Sequence, residues 1–445
     1  MTALAAHAHA RFGLGPRPGD LAAAASDPRG WLVAQIGRVD IPAALAASPT
    51  GTARQAALQQ IQNRDGNPGV ERLLRQEWRA AYLRDSGLRT KAMIDSDVPF
   101  RERWVAFWSN HFTVSVQRPR VLGLAEPFER EAIRPHAWGG FLDMLNAVVR
   151  HPAMLSYLDQ AVSAGPNSQL GVRRGRGLNE NLARELMELH TLGVDGGYTQ
   201  SDVRELAKIL TGFSIGGVEE NMAGMFRFRP GLHEPGDKKL LDVTIRESGF
   251  EEGLTALRLL AFHPATARHL ARKLAAHFVA DDPAPVAVEA LARTFRDTRG
   301  DLAEMARAVV NLRDSWDNPM GKVRTPNDRV VAALRAVTGE AGYAGEPEKL
   351  LAALATLGQT PFAAPSPAGW PDTARQWIGP ESAMRRAEWA LALAERVAAF
   401  RRPEAVFAAT LEPVASAPTR NAIARAPGAV DGLAMLFASP EFQRR

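Results

Sequence analysis

Three histidines in this chain share an unusual setting, each on or beside an apolar helical face. His111 continues the face of Trp104, Phe107 and Trp108, at i, i+3, i+4 and i+7. His190 falls in the leucine stripe of the stretch LNENLARELMELHTLG, residues 178–193. His263 opens HPATARHLARKLAAHFV on the side of Ala267, Leu270, Leu274 and Phe278. Taken singly, each is most simply a core histidine satisfied by a neighbour. Taken together, they are candidates for one shared polar pocket, because neutral imidazole binds metals and titrates near neutrality. Adding Glu185 gives a candidate catalytic set of His190, Glu185, His111 and His263. A divalent metal is the cofactor such a set would hold, with an open position to activate water or dioxygen. Asn179, Asp159, Arg272 and His233 are the candidate binding residues.

The helix around His190 limits this chemistry. At about 100° per residue, Leu178, Leu182, Leu186 and Leu189 form one stripe, and Glu180, Arg184 and Glu188 form a solvated ladder opposite. Asn179 and His190 lie inside the apolar sector and Glu185 at its edge. Glu185 and His190 are about 140° apart, and Glu188 and His190 about 160°, so neither pair chelates one ion from a regular helix. There is no HExxH and no pair of Glu-x-x-His helices. A metal site must therefore be assembled across helices.

Other chemistries find less support. TLGVDGGYTQSD would put Thr191 and Gly193 at the first and third positions of a calcium loop, which an EF-hand does not use. It reads better as a helix-joining turn, with Thr199 and Asp202 forming a near capping box. GLGPRPG lacks the spacing of a phosphate loop, and no GxSxG elbow occurs. On HPATARHLARKLAAHF, Arg268 and Arg272 share one side and His269 and Lys273 another. A solvated face is the simple reading, and the alternative pairs Arg272 or Lys273 with Glu185 or Asp159.

The elements that must position these residues are mostly helical. Helical periodicity runs through residues 29–47, 51–62 and 70–85, restarts near Pro99, and continues through 127–137 and 138–150. Residues 225–243, with alternation and turn residues in FRFRPGLHEPGDKKLLDV, are expected to form a small β-hairpin. Helices then run to residue 337. A proline-rich loop follows, GQTPFAAPSPAGWP at 358–371, which would suit a lid but is more simply a packed connection. The expected fold is mainly α: one large multi-helix domain over 1–445, with sub-regions 1–90, 91–280 and 281–445.

The 445 residues are 46% hydrophobic and 23% charged, ordinary for a globular protein, and contain no cysteine. Disulfides, thiolate metal sites and cysteine nucleophiles are thereby excluded. The net charge of +5 is mild and scattered. Its densest knot is Arg173, Arg174 and Arg176, an anion or partner contact if it is more than a solvated loop. No nucleic-acid motif accompanies it. No apolar run is long enough to span a membrane and no signal-peptide pattern is visible, so the cytoplasm is the default location.

The motifs RFGLGP, FWSNHF, MLSYLDQ, NENLARELMELHTLGVDGGYTQSDV, HEPGDKKLL, HPATARHLARKL and PSPAGWP occur in that order. In this the chain resembles, over nearly its whole length, a bacterial family catalogued as domain of unknown function 1800. It departs from that pattern at Gln160, Glu234 and Asp237, which weakens strict ligand geometry in the HEPGDKK loop. The resemblance implies no assigned activity. It does imply a possible separately encoded partner resembling alkaline phosphatases and sulfatases.

Three functional readings follow. The first is an enzyme with a His/Glu pocket between the central helix and the helices starting near Pro99 and Pro264, using a metal or acid–base chemistry. The second is a non-catalytic scaffold or accessory protein whose polar motifs fix helix packing. The third is an anionic-polymer binder acting through the Arg173–Arg176 loop.

Overall fold

Most helix starts are set by a proline in the first turn, an oxygen-bearing N-cap, or both. Thr325 accepts from the Asp328 amide just ahead of Pro326, and Asp301 accepts from Glu304. In the computed structural model, which describes residues 2–38, 40–65, 68–175 and 177–445, 61% of the chain is helical. Leaving the shorter helices unlabelled, the order begins with α1 (Ala3–His7), continued by a π turn (Ala8–Phe12), then α2 (Pro68–Asp95), α3 (Pro99–His111) and α4 (Phe141–Arg150). The central helix α5 (Asn181–Glu185) runs into a second π turn (Leu186–His190) and is followed by α6 (Gln200–Leu210). Four short strands come next: β1 (Phe213–Ile215), β2 (Phe226–Phe228), β3 (Lys238–Leu240) and β4 (Val243–Ile245). The chain closes with α7 (Phe250–Ala261), α8 (Pro264–Phe278), α9 (Pro285–Asp297), α10 (Leu302–Asn311), α11 (Pro326–Thr338), α12 (Pro347–Thr356), α13 (Pro380–Val397) and α14 (Ala429–Ala438).

The mainly α architecture holds, with three local differences. The expected hairpin at 225–243 is two separate antiparallel pairs, Phe213 facing Phe228 and Lys238 facing Ile245. Residues 226–228 pair backwards with a strand that follows α6 directly. The β3–β4 turn has Leu241 and Asp242 at φ of 51° and 63°, a conformation usually taken by Asn-Gly. The Leu241 amide donates to Asp202 Oδ1 at 2.8 Å, so a partner on α6 holds a turn that its own residues do not announce.

The helix expected over 70–85 extends to Asp95. Ser86 and Gly87 read as breakers, but a Cβ at Gly87 would lie 2.5 Å from the Pro347 carbonyl carbon at the start of α12. Close packing against α12 carries the helix through this weak point. The run at 178–193 is not one regular helix, because its second half is a π turn. That inserts a residue and changes the phase of everything after Glu185.

Apolar burial is divided between a large cluster, from Ala8 to Trp316, and a second one built from α11, α12, α13, α14 and their connections. A small group of Leu14, Met93, Ile94, Val331 and Leu350 packs beside them. Arg11 stitches the first cluster to more distant chain. Its guanidinium donates to the backbone oxygens of Phe278, Val279, Asn318 and Arg445 at 2.6–3.1 Å, with no side-chain carboxylate among these described hydrogen bonds. No helix among the described residues is long and apolar enough to cross a membrane.

Candidate functional site

A cavity of about 310 Å³ opens between α3, α8, the start of α11 and the loop 359–372. That volume lies at the lower end of the range for small-molecule sites. Its walls carry Arg103, Asn110 and His111 from α3, Lys273 and His277 from α8, Asp328 from α11, and Trp370 and Asp372 from the loop. α8 can supply this face because Ala267, Leu270, Ala271, Leu274, Ala275 and Phe278 bury one stripe. His269, Lys273 and His277 then follow one another at i, i+4 and i+8. Arg268 and Arg272 are left exposed on the far side.

The loop is fixed in place. Asn110 donates from Nδ2 to the Trp370 carbonyl (2.9 Å), and its Oδ1 accepts from the Trp370 amide (2.7 Å). Gly369 sits at φ +84°, where a Cβ would meet the Asn110 carbonyl at 2.4 Å. The proline-rich segment is thus both a packed connection and a cavity wall, and it delivers Asp372.

Asp372 and His277 are the most tightly joined pair there. His277 Nδ1 and Asp372 Oδ2 stand 2.5 Å apart, and the other carboxylate oxygen accepts from Arg445 Nη2 at 3.0 Å. Burial alone would raise the Asp372 carboxyl, but the charges of His277 and Arg445 reverse this and hold it below the usual range. Burial pushes His277 down, with Asp372 opposing and Arg445 and Arg103 assisting. The pair is therefore an ionised carboxylate holding the Nδ1–H of a neutral imidazole, an arrangement that fixes the tautomer. His277 Nε2 is buried with no partner among the described residues.

Lys273 is half-buried on the same wall. Burial pushes its amine down to about 8, only partly opposed by Asp372. Nearby, Asp328 bridges Arg103 (3.1 Å) and Arg445 (3.2 Å), and those two guanidinia overcome its burial and hold it ionised. At neutral pH the cavity presents a weakly acidic ammonium beside an oriented neutral imidazole.

Behind this wall lies a second group of imidazoles. His111 and His190 have ring centroids 5.9 Å apart, and His111 and His269 6.3 Å. His111 Nε2 donates to the His190 carbonyl (3.1 Å), and His269 Nε2 to that of Leu189 (2.9 Å). These carbonyls are available because the π turn leaves them outside the regular helical ladder. Burial, with Lys273 adding to it, lowers His190 to about 3, His269 to about 4 and His111 well below its ordinary value. Both ring nitrogens of His190, and Nδ1 of His111, are buried without partners among the described residues.

The other sequence candidates are placed elsewhere. His263 caps α8 by accepting from the Ala265 amide at 3.2 Å. His269, six residues along and so about 9 Å up the axis, is the α8 histidine beside His111. Glu185 is half-buried, and its carboxyl is raised by burial and by Glu188. It perturbs Tyr157 and does not line the cavity. Asn179 donates from Nδ2 to the carbonyls of Leu158 (3.3 Å) and Asp159 (3.1 Å). Asp159 itself is a left-handed residue near Arg118 and Arg120, at 3.9 and 4.0 Å. Arg272 is exposed, pairing with neither Glu185 nor Asp159 among the described contacts. His233 belongs to a buried clasp: its Nε2 meets Glu252 Oε1 at 2.9 Å, and Lys238 reaches Glu252 Oε2 at 2.8 Å. That clasp ties the HEPGDKK loop to the start of α7. Of the basic loop, Arg173 is exposed, while Arg176 and the side chain of Arg174 lie outside the described residues. Among the described residues, no group of three or more His, Asp or Glu side chains stands in metal-holding geometry.

Lys273, His277, Asp372, Arg103 and Asp328 were not singled out from sequence as a site. The signal for two of them was present in the i, i+4, i+8 spacing of His269, Lys273 and His277. Asp372, two residues beyond the tryptophan of PSPAGWP, carried no comparable mark.

No curated protein and no solved structure matches the chain. The comparisons accordingly give no support to a sulfatase- or phosphatase-like partner. A family model described as "Protein of unknown function (DUF1800)" matches residues 7–444, nearly the full length. With motifs, order and extent in agreement, the chain belongs to the DUF1800 family.

Proposed function

We propose that this protein is an enzyme whose chemistry is proton transfer in the α3–α8 cavity, with Lys273 as the group that exchanges the proton. The observation that carries this is the placement of Lys273 on the cavity wall, with its amine held near 8, beside the His277–Asp372 pair. An amine titrating near the working pH serves as general base and general acid in one cycle. His277, oriented by Asp372, positions or relays that proton. This is the acid–base form of the enzyme reading, moved from the central helix to the opposite end of the His111 contact. His111 and His190 support the cavity wall, and Glu185 and His263 have no part in the step.

The test is an activity screen of the purified protein against small-molecule panels, run in parallel with Lys273→Met and His277→Asn. Any genuine turnover must fall by at least about 100-fold in Lys273→Met, the scale of a lost acid–base group. Turnover surviving in both variants rejects the site.

One observation favours the scaffold reading. Arg11, Arg103, Arg445 and Asp328 form a buried network joining chain segments hundreds of residues apart, which a packing role alone would reward. On that reading Lys273→Met changes stability and no activity exists to lose.

A further inference from the structure

We infer that Lys273 is a nucleophile as well as a proton carrier, and that the cavity takes an uncharged aldehyde or ketone, which Lys273 holds as an imine. This rests on the reading of the cavity as a reaction site and supplies its substrate class.

Lys273 stands apart from the other lysines of the chain. Each of the other six, Lys91, Lys208, Lys238, Lys239, Lys322 and Lys349, has a carboxylate oxygen within 3.1 Å. Such a pairing keeps the nitrogen an ammonium, with no lone pair to share. Lys273 lines the cavity and has no ion pair or hydrogen bond among the described residues. The carboxylates of that wall are committed elsewhere, Asp328 to Arg103 and Arg445, and Asp372 to His277 and Arg445. At pH 7 an amine held at about 8 is neutral in about one molecule in ten, against about one in three thousand for an ordinary lysine.

The lining charges point to an uncharged substrate. Arg103 and Lys273 are matched by Asp328 and Asp372, and Arg89 by Glu129 at 2.7 Å. No charge is left over for an ionic substrate to answer, while Leu14, Met93, Phe107 and Val114 supply apolar wall. A desolvated amine beside apolar side chains, without a carboxylate of its own, is the setting in which lysine adds to carbonyl carbon.

His277 follows Lys273 by one helical turn, and Asp372 holds its Nδ1–H, which leaves Nε2 to accept. The lone pair of the neutral amine forms the new C–N bond as the carbonyl C=O π bond breaks. Two protons then pass from the nitrogen to the oxygen by way of His277 Nε2, and the oxygen departs as water. A C=N bond joins Lys273 to the substrate, nothing is oxidised or reduced, and addition of water reverses the step.

The experiment traps the imine in the full chain at pH 7. Two probes are used, propanal and the anionic aldehyde glyoxylate, each with sodium cyanoborohydride, which reduces an imine to a stable secondary amine. Peptide mass spectrometry follows Lys273 and exposed Lys349 in the same sample. With propanal, Lys273 should be alkylated at least about tenfold faster than Lys349, part of its roughly 300-fold advantage in neutral amine. Its rate should also saturate with propanal concentration, as binding before reaction requires, while that of Lys349 rises linearly. Lys273 reacting no faster than Lys349, or without saturation, overturns the inference. A Lys273-to-Lys349 ratio higher with glyoxylate than with propanal overturns the uncharged class. These readings need no variant. His277→Asn should slow Lys273 alkylation by at least about tenfold and leave Lys349 unchanged, and an unchanged Lys273 rate in that variant removes His277 from the step. Trapping does not depend on turnover. A Lys273-dependent activity without trapping would remove this inference and keep the function, whereas trapping in a protein that turns nothing over would keep the imine and reject the enzyme.

Discussion

His111 and His190 are joined through the backbone, the Nε2–H of His111 reaching the His190 carbonyl at 3.1 Å. This assigns the His111 tautomer and leaves its Nδ1 a buried lone pair. The contact ties the end of α3 to the π turn after α5, so the two motifs that carry these histidines hold one junction.

That junction should be sensitive to acid. His111, His190 and His269 all have folded values below the ordinary 6.5, so the unfolded chain binds protons that the folded chain refuses. The associated stability is fully present above pH 6.5 and is lost as pH falls towards about 3. Each histidine contributes a slope of up to about 1.4 kcal/mol per pH unit. Urea unfolding between pH 4 and 7 should show this slope in the wild type, shallower by about one proton in His190→Leu. An unchanged slope would remove His190 from the acid response.

Lys273 predicts an effect of the same sign in a higher pH window. Its folded value, about 8, lies below 10.5, so the charged amine opposes folding at neutral pH. That cost is relieved as pH rises from about 8 to 10.5, since in this window the unfolded state binds more protons. Lys273→Met should therefore be more stable than wild type at pH 7, by at most about 3 kcal/mol, and the difference should shrink above pH 8. Denaturant titrations at pH 7 and pH 9.5 measure it.

Arg11→Lys keeps the charge and loses the fork that serves four carbonyls. Carbonyls left buried without donors cost about 1–3 kcal/mol each, so the variant should lose more than about 3 kcal/mol. A Tm within 2 °C of wild type, by calorimetry, would contradict this.

Gly369→Ala tests the cavity wall. The left-handed backbone and the close Asn110 carbonyl both oppose a Cβ, at a combined cost of about 1–3 kcal/mol. Hydrogen exchange should accelerate in residues 359–372, with α13 and α14 unchanged as an internal reference.

What the sequence revealed depended on how local each interaction is. The Glu180–Arg184–Glu188 ladder was legible from i, i+4 spacing and is present at 3.0 and 3.4 Å. The Thr199–Asp202 capping box was legible for the same reason. The π turn was not, since the leucine stripe fits a regular helix as far as Glu185 and hydrogen bonding alone decides the rest. Leu241 at positive φ was hidden because Asp202 on α6 stabilises it. The site residues illustrate the limit: His277 and Asp372 are 95 positions apart, and only the tertiary route of the loop past Asn110 brings them together.

Arg11 also sets a schedule for biosynthesis. The carbonyl of Arg445 that it holds lies 434 positions later. At ~5–20 residues per second, the arginine leaves the ribosome roughly 20–90 s before that acceptor exists. Through that interval the guanidinium can engage the carbonyls of Phe278 and Val279 only after α8 has emerged, and its grip is completed only once Arg445 has been added. A nascent chain of this protein therefore carries an incompletely satisfied arginine in its first core until Arg445 has been made, which makes the interval between α8 and Arg445 the period when a chaperone would matter most.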